Sequence, residues 1–245
     1  MIEPDLGGRT VLITGSGRGL GRALTLACAK RGANVAVHYN TSEDAAHGVA
    51  NDASEHGVEA ITAQGDVTDP EAVGRLFSRI EADLDPVDVL VNNVGAFAPE
   101  HWAKMSFETW RRVMKTNVDG TYLCSKRALP AMREAGWGRI VNIGYASSEK
   151  GLINPKNAPY FMAKSSVLMF TRMLAADTQD DGITVNAISP YVIENSDEFP
   201  EDLPRDRPAS FGDVTQALFT FLEADSDYIS GANVEVSGGW LPEDV

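Results

Sequence analysis

Tyr160 and Lys164 stand four residues apart in the stretch YFMAK. On a helix that spacing puts a phenol and an ammonium on one face. A free phenol titrates at about 10 and is a poor acid–base catalyst near neutrality. A neighbouring ammonium favours the phenolate and draws that value towards a useful range. The pair is therefore a candidate for trading a proton with a substrate oxygen. Just upstream, in NIGYASSEKGLINPKNAP, three hydroxyls (Tyr145, Ser147 and Ser148) follow a run that reads as a buried strand. A hydroxyl beside the catalytic phenol would donate a second hydrogen bond to the same oxygen. Taken alone, Tyr-x-x-x-Lys is a common surface pattern of amphipathic helices, so its weight comes from what surrounds it.

The first apolar run leads into TGSGRGLGRAL, Thr14 to Leu24. Its glycines do not give the G-x-G-x-x-G spacing, because position 20 is leucine, but Gly15, Gly19 and Gly21 give TGxxxGxG. Glycines at such places permit a tight turn and let the backbone approach a pyrophosphate at a helix N-terminus. Gly15, Ser16, Arg18, Gly19 and Leu20 are the expected contacts. A site for NAD usually ends the second strand on Asp or Glu, to hold the ribose hydroxyls. Here that end reads VHYNTSED, with Asn40 and Ser42 ahead of any carboxylate. Arg18 offers paired donors for a 2′-phosphate. NADP(H) is expected, with NAD(H) the less favoured cofactor. GDVTD and NNVG follow the third and fourth runs, where sheets of this kind bind ligands. Asp66 and Val67 are assigned to the adenine, Asn93 and Gly95 to the ribose.

Seven short runs rich in Val and Ile must position these groups: Thr10–Thr14, Asn34–Tyr39, Glu59–Gln64, Val87–Asn93, Arg139–Gly144, Ile183–Ser189 and Asn233–Gly238. They are apolar nearly throughout, as strands covered on both faces are. Most gaps between them are long enough for a crossover helix, so the strands should be parallel. The expectation is one doubly wound α/β domain over residues 1–245, with helices on both faces of the sheet. Two helices stand out: a long one from Ser106 to about Ala135, and one from Ala158 to about Asp180. The second is apolar on more than one face and implies a homo-oligomer.

The 245 residues carry a formal charge of −14, which disfavours nucleic acid and anionic membrane surfaces as partners. No apolar run reaches the length of a membrane span, and the start of the chain has no basic leader. Cys28 and Cys124 are isolated from each other and from any Cys/His cluster. No metal site is expected, and a reducing cytoplasm is the expected compartment.

TGSGRGLG, GDV, NNVG, Asn117 in KTNVDG, YFMAK and the closing YISGANVEVSGGW, taken in this order, resemble the short-chain dehydrogenase/reductase family over almost the whole chain. Within that family the chain is most similar to 3-oxoacyl-carrier-protein reductases and pteridine reductases. The resemblance implies a seven-stranded Rossmann fold, dimeric or tetrameric, that reduces a carbonyl with NADPH. The substrate would be a 3-oxoacyl thioester, a pterin, or a small ketone or sugar, and the reverse oxidation of an alcohol uses the same groups. By the same resemblance Tyr160 donates the proton and Lys164 holds the nicotinamide ribose. Asn117 steadies its helix and a proton-relaying water, and Pro190 and Ile193 face the nicotinamide.

The chain departs from the family pattern at three places. The family serine directly after the strand falls on Tyr145, whereas the usual spacing back from the tyrosine gives Ser147. Ser147 is the expected partner hydroxyl because Tyr145 is bulky, with Ser148 and Tyr145 left open as alternatives. In SPYVIENSD, Tyr191 and Asn195 replace a glycine and a threonine. The segment Glu194 to Ser210, where the family has its substrate lid, is acidic and proline-rich, which opposes an acyl chain or an acidic carrier protein. Phe97, His101, Trp102, Phe199 and Trp240 are candidates for the pocket wall. The competing expectation is a nucleotide-binding sensor or scaffold that has kept the fold and lost catalysis.

Overall fold

The seven apolar runs become seven strands in the computed structural model, which describes residues 3–150, 154–196 and 199–240. They are β1 (Thr10–Ile13), β2 (Asn34–Tyr39), β3 (Ala60–Gln64), β4 (Val89–Asn92), β5 (Gly138–Ile143), β6 (Ile183–Pro190) and β7 (Asn233–Val236). All pairings are parallel and the order across the sheet is β3-β2-β1-β4-β5-β6-β7. Every residue of β1, β4, β5 and β6 is buried, which is why these runs are apolar without alternation. The outer strands β3 and β7 are only half-buried.

Side chains along each strand still divide between the two faces. Val11 and Ile13 enter one core with α1 (Gly19–Ala29), α2 (Glu43–Ser54) and α7 (Phe211–Leu222). Leu12 enters the other with α3 (Pro70–Asp83), α5 (Gly120–Ala135) and α6 (Ala158–Asp177). Helix starts follow local chemistry: Asp69 accepts from the N–H groups of Glu71 and Ala72, and Ser210 with Asp213 forms a capping box. This is the doubly wound α/β domain expected, with its order reversing between β1 and β4. Ligands bind beyond the strand ends at such a reversal.

The long helix expected from Ser106 to Ala135 is interrupted. It runs as α4 (Phe107–Met114), a π-helical turn (Lys115–Asp119) and α5. One extra residue in the turn pushes Asn117 inward, where its Nδ2 donates to Ala96 O and Val113 O at 2.9 Å each. α6 ends at Asp177, a little short of the expected end.

Candidate active site

The glycine loop is built where the sequence places it. Gly15 (φ +69°) and Gly19 (φ +54°) adopt left-handed backbone, and a Cβ on Gly21 would overlap the carbonyl of Gly15. Thr14 fixes the loop from below: its hydroxyl accepts from the N–H groups of Asn93 (2.9 Å) and Val94 (3.0 Å). Asn93 returns a bond from Nδ2 to Thr14 O at 2.9 Å. Ser16 does not face the cleft. It is fully buried and its hydroxyl accepts from the His38 N–H at 2.8 Å, so the side chain ties the loop to β2.

His38 was not singled out by sequence, yet it holds the loop from the other side. Its Nδ1 accepts from Gly15 N–H at 2.8 Å while Nε2 lies 2.9 Å from Gly65 O. With one ring nitrogen accepting and the other donating, the neutral form is required. Burial pushes its pKa down to about 4. The only signal in the sequence is a polar residue inside an otherwise apolar strand.

Arg18, Asn40 and Ser42 are exposed. Gly17 packs against Ala45 and Ala46 in the first turn of α2, which brings the loop carrying Arg18 beside that helix N-terminus. The Ser42 hydroxyl makes no capping bond there. Asp66 is half-buried; burial opposes its charge, but the Thr68 N–H and hydroxyl, each 2.8 Å away, with Lys115 and His38, hold it below the ordinary carboxylate range. Val67 is buried against Gly120 at the start of α5.

A cleft of about 580 Å³ opens beyond the ends of β1, β4, β5 and β6. Leu20, Asn93, Gly95, Tyr160, Lys164, Pro190 and Ile193 all line it, so seven of the seventeen expected site residues share one cleft. Lys164 Nζ donates to Ile143 O at 2.7 Å and lies 5.5 Å from the Tyr160 ring centre. A side chain on Gly95 would collide with Asn117 Oδ1 and approach Lys164 Nζ. Asn117 Oδ1 is buried beside that amine with no hydrogen-bond partner among the described residues. The electrostatics differ from the sequence argument. Burial outweighs the neighbouring amine, pushing Tyr160 well above its ordinary value and Lys164 down to about 8. The phenol is thereby held as an acid.

The serines are placed differently from expectation. Ser147 is fully buried with φ +63°, its N–H donating to Glu235 Oε1 at 2.9 Å, and its hydroxyl has no partner among the described residues. Ser148 is also buried, its hydroxyl likewise without a partner among the described residues. Neither lines the cleft, whereas Tyr145 does. A Cβ on Gly144 would collide with Ser189 Oγ, so the first side chain after β5 is that of Tyr145.

Aromatic rings form the mouth. Tyr145 contacts Tyr160, Phe161, Tyr191 and Trp240, and Phe97 meets Tyr160 edge-on at 5.1 Å. Phe199 also lines the cleft. Tyr191 takes the family glycine's place without left-handed backbone and stacks on Trp240 at 3.9 Å and 10°. Asn195 reaches across to Gly19, where a Cβ would lie 2.6 Å from its Nδ2. His101 and Trp102 pair with each other at a bridge to Lys156, away from the cleft.

The bare-backbone cradle at Gly15, Gly19 and Gly21, together with the orphaned Asn117 oxygen and the Lys164 amine beside Gly95, fits a nicotinamide dinucleotide. No cluster of metal-ligating side chains occurs among the described residues.

Residues 9–202 match the family described as short chain dehydrogenase. The chain is 33% identical to a short-chain type dehydrogenase/reductase of Picea abies, covering 96% of this chain and 93% of that protein. It is also 33% identical to the 3-oxoacyl-(acyl-carrier-protein) reductase FabG of Staphylococcus aureus, over 94% and 97% of the two chains. Among solved structures, a gluconate 5-dehydrogenase from Burkholderia cenocepacia, in complex with NADP and tartrate, superposes with a TM-score of 0.89 at 29% identity, covering 97% of each chain.

Proposed function

The chain belongs to the short-chain dehydrogenase/reductase family, and on that premise we propose that it is an NADPH-dependent carbonyl reductase with Tyr160 as proton donor. The observation that carries this reading is Tyr160 and Lys164 on the wall of one cleft with the loop residues Asn93 and Gly95. The bound dihydronicotinamide supplies the hydride. Tyr160 gives its proton to the carbonyl oxygen as negative charge develops there. Lys164, still mostly protonated at neutral pH with a value near 8, favours the phenolate left behind. Asn117 and Ile143 fix the amine's surroundings from the π-helical turn and from β5.

Arg18, the absence of a carboxylate at the end of β2, and the α2 N-terminus support NADP over NAD. Lys164 is the one charged side chain among the described residues of the cleft wall. Five rings, those of Phe97, Tyr145, Tyr160, Tyr191 and Phe199, stand among the rest, which favours an uncharged, flat carbonyl compound such as a pterin or cyclic ketone over a long acyl chain. The free, buried cysteines suit a reducing cytoplasm, and the exposed face of α6 suits a homo-oligomer.

The test is NADPH and NADH oxidation by purified protein with a cyclic diketone, an acetoacetyl thioester and a dihydropterin, alongside binding of both dinucleotides. Turnover with NADPH is expected, and Arg18→Ala should weaken NADPH binding about 10- to 100-fold while sparing NADH. A second reading, a nucleotide-binding sensor, draws on the withdrawal of both serines from the cleft. Tight NADPH binding with no turnover on the panel would favour it.

A further inference from the structure

We propose that Tyr145, not a serine, supplies the second hydroxyl to the substrate carbonyl, so that the site works with two phenols. The inference rests on the reductase reading above. Three observations carry it. Tyr145 and Tyr160 line the same cleft with ring centres 5.6 Å apart at 74°. Neither phenol is bonded to another described residue, whereas Ser147 and Ser148 are buried off the cleft wall. Tyr145 carries the first side chain after β5 and Gly144, and of the three hydroxyl-bearing residues in that connection it is the one that lines the cleft.

The two phenols are not equivalent. Tyr160 has the Lys164 amine 5.5 Å from its ring centre. Tyr145 has burial and two other phenols, Tyr191 and Tyr160, each of which opposes its ionisation. Tyr145 thus stays protonated throughout and acts as a fixed donor. In the step itself, hydride from the dihydronicotinamide forms the new C–H bond and the carbonyl π pair moves onto oxygen. That oxygen takes the Tyr160 proton, leaving alcohol, oxidised nicotinamide and Tyr160 phenolate. The Tyr145 O–H donates a hydrogen bond to the same oxygen and keeps its proton. A phenol reaches further than a serine hydroxyl, so the carbonyl would sit farther from β5 and among the rings.

The decisive comparison is Tyr145→Phe, Ser147→Ala and Ser148→Ala against the wild type, using whichever of the cyclic diketone, acetoacetyl thioester or dihydropterin the wild type reduces. Tyr145→Phe should lower kcat about 10- to 1000-fold, the scale of one lost donor to a developing oxyanion. Its NADPH dissociation constant, melting temperature and the apparent pKa of its pH–rate profile should remain those of the wild type. Both serine variants should stay within about threefold of wild type, since a hydroxyl off the cleft has no oxyanion to meet. Should Tyr145→Phe fold poorly, Tyr145→Gln, which keeps a donor, must retain more turnover than Tyr145→Leu. Near-normal turnover in Tyr145→Phe, or a matching loss in Ser147→Ala, overturns the assignment and leaves the reductase reading intact. A wild type that binds NADPH yet reduces none of the three overturns both.

Discussion

Tyr160 and Lys164 drew their weight from the glycine loop, NNVG and the strand-end hydroxyls around them, while the four-residue interval on a helix gave only a shared face. What spacing cannot carry is burial. The sequence argument has the amine acidifying the phenol, whereas desolvation moves both groups towards their neutral forms. The pH dependence follows with a definite sign. On the proposed mechanism, reduction needs Tyr160 as the acid, which burial favours, and Lys164 as the ammonium, which is lost as pH rises through about 8. The profile of kcat/KM for reduction should therefore be level near neutrality and fall on the alkaline side, and Lys164→Met should abolish turnover. A rate that climbs through pH 9 would count against an ammonium at that position. The serine register was not legible for a different reason. Counting from the strand and counting from the tyrosine disagree, and only the folded path of the connection puts Tyr145, and neither serine, on the cleft wall.

Elements were read more surely than residues. All seven strands overlap the apolar runs, and β1, β4, β5 and β6 read most plainly because they are buried along their whole length. The π-helical turn went unseen, since one inserted residue leaves the surrounding helical pattern almost unchanged. The link between β2 and the glycine loop was equally hidden, because it runs through one histidine. His38 carries a native pKa of about 4 against about 6.5 when unfolded, so the unfolded chain binds the extra proton between those values. Its contribution is complete above about pH 6.5 and is lost as pH falls towards 4, amounting to about 3 kcal/mol. Urea midpoints measured at pH 7 and pH 5 should drop for the wild type and drop less for His38→Gln. Equal losses in the two proteins would assign the acid sensitivity elsewhere.

Over the whole molecule, the net charge of −14 and an apolar lateral face pull in opposite directions. Along α5 and α6, Tyr122, Met162, Met169 and Met173 are 44%, 52%, 55% and 62% exposed, around a groove that Phe170 and Val167 help to line. A contiguous apolar face of this kind marks a contact surface, and the same exposed side of α6 raised the expectation of an oligomer from sequence. Light scattering at micromolar protein should give a dimer or tetramer, with dissociation in a Met169→Glu, Met173→Glu double variant and at higher dilution. A wild type that scatters as a single chain would leave this face without the role assigned to it. No helix among the described residues is long and apolar enough to cross a membrane, so lipid burial by a spanning helix does not account for the face.

The stack of Tyr191 on Trp240 equips the protein with an internal optical gauge. An indole lying flat against a ring of the cleft wall senses any ligand that shifts that ring, and its emission should respond to occupancy without an attached dye. Trp137, pressed between the guanidinium groups of Arg9 and Arg139, supplies a steady reference in the same molecule.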